Sequence, residues 1–241
     1  MSNFSNALYQ DRIVLITGTT KGIGLHLAKH FLEKQAIVCG LARSESSLHH
    51  QSYRHYEGDV TKGDDVIRVL KEIRKEFGRL DILVNNAGVA SMNPSMLMPE
   101  AAARKILDIN MLGVFNMSRE SAKLMMKGKY GRIINFSSVA VPMNIEGEAI
   151  YASSKAAIET FSKVFAREVA NYGITVNVLG PSPIMTDLIA KVPEQKIQDL
   201  VNKMPLKRLG EFQDVENVVD FFASETSSYI TGQVIYLGGV S

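Results

Sequence analysis

Cysteine is nearly missing from this 241-residue chain: Cys39 stands alone. One thiol cannot build an internal disulfide framework or a multi-cysteine metal site. An excess of charge is missing too. Twenty-seven Lys and Arg face 25 Asp and Glu, a net charge of +2, so composition makes no electrostatic case for nucleic acid or a membrane surface. Long apolar runs are absent. The first strongly apolar stretch, Ile13–Ile16, stops at Thr17-Gly18. A membrane span needs about 20 apolar residues, and a secretory leader a longer core than this. The expectation is a soluble, cytoplasmic chain in which the Asn-x-Ser triplets at Asn3, Asn116 and Asn135 are chance matches. With 46% apolar and 22% charged residues and no repeat or low-complexity tract, what remains is an ordinary globular composition, at a length that suits one α/β domain.

What is present is an alternation of short β-branched runs with longer helical patterns. Ile13–Ile16, Ala36–Leu41, Tyr53–Glu57, Ile82–Val84, Arg132–Phe136, Ile174–Leu179 and Gln233–Leu237 read as strands. Gly22–Gln35, Lys62–Phe77, about Pro99–Met126, Tyr151–Tyr172 and Asp214–Ser224 read as helices. In the second helix Val66, Val69, Leu70, Ile73 and Phe77 recur at helical spacing, with Thr61 as the N-cap candidate. The third is expected to be irregular near Asn110 and Gly113. The pattern predicts a single doubly wound Rossmann-type α/β domain over residues 1–241: a parallel sheet of about seven strands with helices on both faces. Ser182–Arg208 breaks the rhythm, holds Pro183, Pro193 and Pro205, and follows a strand end. A substrate lid is expected there.

The first strand runs into Thr17-Gly18-Thr19-Thr20-Lys21-Gly22-Ile23-Gly24 and then a helix. Gly18 permits a tight turn, Gly22 lets the backbone approach a ligand, and Gly24 lets helix pack closely on strand. The helix N-terminus offers unpaired N–H groups and the positive end of a dipole, which suit a pyrophosphate. At the end of the second strand a carboxylate would accept an NAD ribose hydroxyl, but the run is Val38-Cys39-Gly40-Leu41-Ala42-Arg43. Arg43 and Lys21 are cations expected to converge there and favour the 2′-phosphate of NADP(H).

Tyr151 and Lys155 stand at i and i+4, on one helix face. An ammonium about 4 Å from a phenol stabilises the phenolate and would bring its pKa toward the working range. Ser138 ends the fifth strand, and the C-terminal strand ends are where open α/β sheets bind ligands.

Taken together these motifs resemble the classical short-chain dehydrogenase/reductase family over nearly the whole chain. The resemblance implies that Asp59 and Val60 contact adenine, that Asn86, Ala87 and Gly88 of Asn85-Asn86-Ala87-Gly88 line the cofactor, and that Asn110 holds a water in a proton relay. It implies a tetrad of Asn110, Ser138, Tyr151 and Lys155. Ser137 competes with Ser138, and the family's spacing of thirteen residues to the tyrosine selects Ser138. It implies cofactor contacts from Gly18, Thr20, Lys21, Gly22, Ile23, Gly24 and Arg43, from Tyr151 and Lys155, and from Pro181, Ile184 and Thr186. Within the family the resemblance is strongest to 3-oxoacyl-acyl-carrier-protein reductases, in Gly131–Ile134, Arg167–Ala170, Gly173–Asn177 and Tyr229–Gly232.

That resemblance implies NADPH-dependent reduction of a 3-oxoacyl thioester, a homotetramer, and docking of an acyl carrier protein on basic residues near the active-site mouth. Lys129 keeps one such position and Tyr172 replaces the second, while Glu146 and Glu148 would repel an acidic carrier. Pro181-Ser182-Pro183 departs from the family's Pro-Gly, and Gly238-Gly239-Val240-Ser241 is a slightly short C-terminus. Two alternatives stay open: the same chemistry on a free ketone, sugar or steroid-like alcohol, and a dinucleotide-binding sensor without catalysis. His26 and His30 share a face without a third metal ligand nearby, so no metal is expected. Cys39 reads as a small buried strand residue, and Met92, Met96, Met98, Met143 and Met185 as candidates to line an adaptable apolar pocket.

Overall fold

The computed structural model describes residues 8–186, 189, 192 and 194–240. Asn3 and Pro193 lie outside these residues. The strands are β1 (Ile13–Thr17), β2 (Ile37–Ala42), β3 (Tyr53–Glu57), β4 (Ile82–Asn85), β5 (Gly131–Phe136), β6 (Ile174–Gly180) and β7 (Val234–Tyr236). The helices are α1 (Gly22–Glu33), α2 (Gly63–Phe77), α3 (Glu100–Leu107), α4 (Gly113–Gly128), α5 (Ala140–Met143), α6 (Ala149–Val169), α7 (Glu194–Lys203) and α8 (Phe212–Ala223). Every strand pair is parallel, in the order β3-β2-β1-β4-β5-β6-β7.

The strands read as unbroken apolar runs because both faces are covered. Ile13 and Leu15 of β1 join one buried layer with Val66, Val69 and Ile73 of α2. Val14 and Ile16 join the opposite layer with Leu27 and Phe31 of α1 and Val219 of α8. Cys39 is fully buried in β2, as its strand position predicts. A chain of polar side chains crosses the middle of the sheet. Asn85 Nδ2 donates to Asn135 Oδ1 (2.8 Å) and Ser118 Oγ (3.0 Å), and Asn135 Nδ2 to Ser162 Oγ (2.8 Å). These bonds pin α4 and α6 to β4 and β5.

Strand order reverses between β1 and β4. The chain steps outward from β1 to β3, then returns to pair β4 with the other side of β1. Crossover connections diverge there and leave a crevice at the C-terminal strand ends. No described helix is long and apolar enough to cross a membrane.

The structure departs from the sequence expectation in a few places. The helix expected over Pro99–Met126 is α3 and α4 joined by a π-helical turn, Asp108–Leu112. Thr61 is not the cap of α2. Lys62 occupies that position, and Thr61 instead gives both its N–H and its hydroxyl to Asp59. The first helix stops before Gln35, whose φ of 67° turns the chain into β2. The expected lid segment contains α7, which its prolines concealed.

Candidate active site

Thr17, the last residue of β1, organises the crevice. Its Oγ1 accepts the N–H groups of Asn86 (3.1 Å) and Ala87 (2.9 Å), and its carbonyl accepts Asn86 Nδ2 (2.9 Å). The loop after β4 is thus tied to the turn after β1. Gly18 follows at φ +77°. A Cβ on Gly24 would lie 2.2 Å from the Gly18 carbonyl oxygen, so α1 packs onto the turn only because that residue is glycine. Gly22 has φ +57°, and a Cβ there would meet Thr186 Cγ2 at 3.7 Å across a gap. Lys21 is the N-cap of α1 and contributes no side-chain cap to the first turn. A helix N-terminus offers unpaired backbone N–H groups of the kind that suit an anion.

Asp59 ends the loop after β3. Burial works against its carboxylate, but hydrogen bonds from Thr61 and the nearby Arg43 and Lys62 charges outweigh it, holding the carboxyl below its usual range. Arg43, Asp59, Arg104, Lys105 and Ile109 line one cleft beside it. Val60 is buried beneath that cleft and its carbonyl accepts Asn116 Nδ2.

The π turn carries Asn110 to full burial. Its Nδ2 donates to the Val89 carbonyl (2.9 Å) and Ser154 Oγ (3.0 Å), and its Oδ1 accepts the Val89 N–H (2.9 Å). Gly88 sits against this group: a Cβ there would lie 3.3 Å from Asn110 Oδ1 and 3.4 Å from Lys155 Nζ. Lys155 is buried on α6 and donates to the Phe136 carbonyl at the end of β5 (2.9 Å). Burial pulls its ammonium down to about 8.

Tyr151, one turn earlier, shares that face, with Lys155 Nζ 5.7 Å from its ring centroid. Its phenol is pushed up to about 12, first by burial and then by the Glu148 charge, against the lowering effect of a hydrogen bond with Ser138. The expected shift toward neutrality is not found. The Lys155 ammonium is drawn to the Phe136 carbonyl, and desolvation dominates the phenol. Ser137 points the other way, buried, and donates to Glu159. Ser138, and not Ser137, is the serine in contact with Tyr151.

A family model described as enoyl-(acyl carrier protein) reductase matches residues 18–240. The chain is 38% identical over 239 residues to the 3-oxoacyl-[acyl-carrier-protein] reductase of Escherichia coli, covering 96% of this chain and 97% of that one. It is 34% identical to the enzyme of that name from Staphylococcus epidermidis, covering 95% and 98%. The ligand-free structure of Thermoplasma acidophilum aldohexose dehydrogenase superposes with a TM-score of 0.87 at 30% identity, covering 95% and 94%. The chain belongs to the short-chain dehydrogenase/reductase family.

Two sets of residues singled out by the family resemblance have clear places in the fold. The Ile184 side chain is buried in the core and its backbone bridges to Gly210, so only its main chain can reach the crevice; Thr186 faces Gly22. Lys129 and Tyr172 do not flank the mouth of their own site. They precede β5 and β6, where Gly173 packs on the Lys129 carbonyl, at the opposite end of the sheet from Ser138 and Tyr151. Of the five methionines, Met96 is 97% exposed and Met185 56%, while Met92 packs on Gly147 between the loop after β4 and the loop before α6. His26 and His30 sit against the Glu216 and Asp220 carboxylates, and no group of metal-ligating residues occurs among the described residues.

Thr17, Ser154 and Glu159 escaped sequence reasoning. The Thr17 partners lie about 70 residues away, and nothing local announces them. Ser154 and Glu159 could have been found, because they lie at three and eight residues from Tyr151 on the same helix.

Proposed function

We propose that the protein reduces a ketone to a secondary alcohol with NADPH, and that the ketone is a 3-oxoacyl thioester carried by acyl carrier protein or coenzyme A. The convergence of Ser138, Tyr151 and Lys155 beside a glycine-lined anion cradle carries this reading. A nicotinamide dinucleotide fits the residues present: Gly18, Thr20, Lys21, Gly22, Ile23 and Gly24 would hold its pyrophosphate, Asp59 and Val60 its adenine, and Asn86, Ala87, Gly88, Pro181, Ile184 and Thr186 the nicotinamide half. When bound, it supplies the hydride. Ala42 leaves no carboxylate at the end of β2, and Arg43 and Lys21 would pair with a 2′-phosphate.

The chain's own part is position and proton supply. Ser138 donates a hydrogen bond to the substrate oxygen as negative charge grows on it. Tyr151, fully protonated at neutral pH, gives its phenolic proton to that oxygen. Lys155 stabilises the phenolate left behind and holds the nicotinamide ribose. Asn110 fixes the loop after β4 against α6, so that the cofactor-binding and proton-donating halves keep one geometry.

A second reading has its own support. Glu148 is half-buried one turn before Tyr151, and burial raises its carboxyl. A carboxyl there is a good acceptor for hydroxyl groups, as in a sugar, and a structural neighbour is an aldohexose dehydrogenase. NADPH oxidation measured with acetoacetyl thioesters and with a panel of free ketones and sugars separates the two. The thioester is expected to be turned over best; faster turnover of a sugar or free ketone overturns the first reading.

A further inference from the structure

Tyr151, Lys155 and Glu159 stand at i, i+4 and i+8 on α6, and each meets a different residue at the end of β5. Lys155 Nζ takes the Phe136 carbonyl, Tyr151 takes Ser138, and Glu159 Oε1 accepts Ser137 Oγ at 2.5 Å. Glu159 is only 8% exposed, an unusual place for a carboxylate. Its second partner comes from β7: Tyr236 Oη donates to the same oxygen at 2.5 Å. Ser137 is also fixed by its backbone, whose N–H donates to the Leu179 carbonyl of β6. Tyr236 is fixed as well, since its ring fills the space that a side chain on Gly180 would need.

We propose that Glu159 is a positioning residue for the reaction: it holds Ser137 down into the sheet so that Ser138, the next residue, presents its hydroxyl to Tyr151. The two serines are chemically equivalent, and the backbone alone does not choose between them. A buried acceptor under one of them does, because the Ser137 hydroxyl cannot turn away without taking from a buried carboxylate oxygen one of its two donors. Tyr236 shares the task from the far side and extends the connection to the segment where the Gly238 carbonyl accepts the Leu206 N–H beyond α7. Glu159 touches neither substrate nor cofactor in this scheme, and the inference rests on the reduction proposed above.

The test is a double-mutant cycle in the full-length protein. Glu159→Leu should lower kcat about tenfold, the scale of a weakened oxyanion contact, with NADPH affinity unchanged. Glu159→Gln keeps an oxygen acceptor for the two hydroxyls and should recover most of that loss. In a Ser138→Ala background Glu159→Leu should cost almost nothing further, because its effect runs through Ser138. Tyr236→Phe removes one oxygen atom without creating a cavity; it should show a smaller loss with the same lack of additivity, and it keeps the cycle readable if Glu159→Leu does not fold. Full additivity of either variant with Ser138→Ala, or wild-type kcat in both, overturns the assignment. Wild-type turnover tests the reaction itself. If wild type reduces no ketone, the reaction fails alone, and crystal structures of wild type and Glu159→Leu, or Tyr236→Phe should that variant not fold, decide the positioning role: an unmoved Ser138 hydroxyl relative to Tyr151 overturns it.

Discussion

Lys155, buried, and Tyr151, partly buried, share one helix face but bear differently on pH dependence. The Tyr151 phenol, raised to about 12, keeps its proton across the whole physiological range, so it cannot produce an alkaline limb in ketone reduction. Lys155, lowered to about 8, can. Turnover should therefore fall as pH rises through about 8, and a pH–rate profile at saturating NADPH checks it. Stability runs the other way. The folded state gives up the Lys155 proton more readily than the unfolded chain, so its contribution is present above the unfolded pKa and is lost as pH falls through about 8. At pH 7 the buried ammonium is thus a burden, and Lys155→Met should raise thermal stability, by on the order of 2 kcal/mol, while abolishing turnover. Tyr151→Phe keeps the ring and removes only the proton donor. Turnover should drop by at least about 100-fold with cofactor affinity little changed; near wild-type rates would mean that the proton comes from elsewhere.

Helix α1 has two ends with two tasks. Its N-terminus is the proposed anion cradle, and its remaining turns are clamped to α8. His26 and His30 meet Glu216, while His30, Lys34 and Tyr9 meet Asp220, in a ladder at i, i+4 and i+8. Burial opposes the Asp220 carboxylate, but the hydrogen bonds from His30, Lys34 and Tyr9 prevail and hold its carboxyl below the usual range. Its contribution is therefore complete above the ordinary carboxyl pKa of about 4 and is lost as pH falls through the lower folded value. Asp220→Ala should destabilise the protein by about 1–3 kcal/mol at pH 7, measured by urea unfolding, and by less near pH 3. At the other end Gly24→Ala forces a Cβ into the Gly18 carbonyl and should cost a similar amount and weaken NADPH binding. Elements of this kind differ in how far they can be read from residues alone. The alternation of strand and helix, the glycine turn and the Tyr151–Lys155 face are local patterns with a fixed period, and they were legible. The π turn was visible only as an expected irregularity, because nothing in Asp108–Leu112 names its hydrogen bonds. Thr17 and the α1–α8 ladder depend on partners far along the chain, and a polar residue whose partner is distant looks like a surface residue. The misplacement of Lys129 and Tyr172 has a related origin: residue type says nothing about which end of a sheet a turn occupies.

At the scale of the whole molecule, α4 and α6 carry apolar side chains outside the core. Leu112, just before α4, and Val164 of α6 are about half exposed; Phe115 of α4 meets Phe161 of α6 edge-on, and Phe161 stacks on Phe165. One sheet contact does not account for so much apolar surface. The chain is expected to form a tetramer with these helices packed across a two-fold axis, and light scattering at micromolar concentration should find no monomer. At the end of β2, Ala42→Asp with Arg43→Ala is expected to shift preference from NADPH toward NADH in a steady-state comparison. The reversal of strand order has a further effect, on synthesis. β1 is made first, yet one of its two neighbours, β4, begins about 65 residues after β1 ends. At about 5–20 residues per second a ribosome needs roughly 3–13 seconds to supply it. Throughout that interval one edge of Ile13–Thr17 has unpaired backbone groups and an uncovered apolar flank. The nascent chain is then most exposed to aggregation, and a chaperone that shields short extended apolar segments would act on this enzyme before its active site has begun to exist.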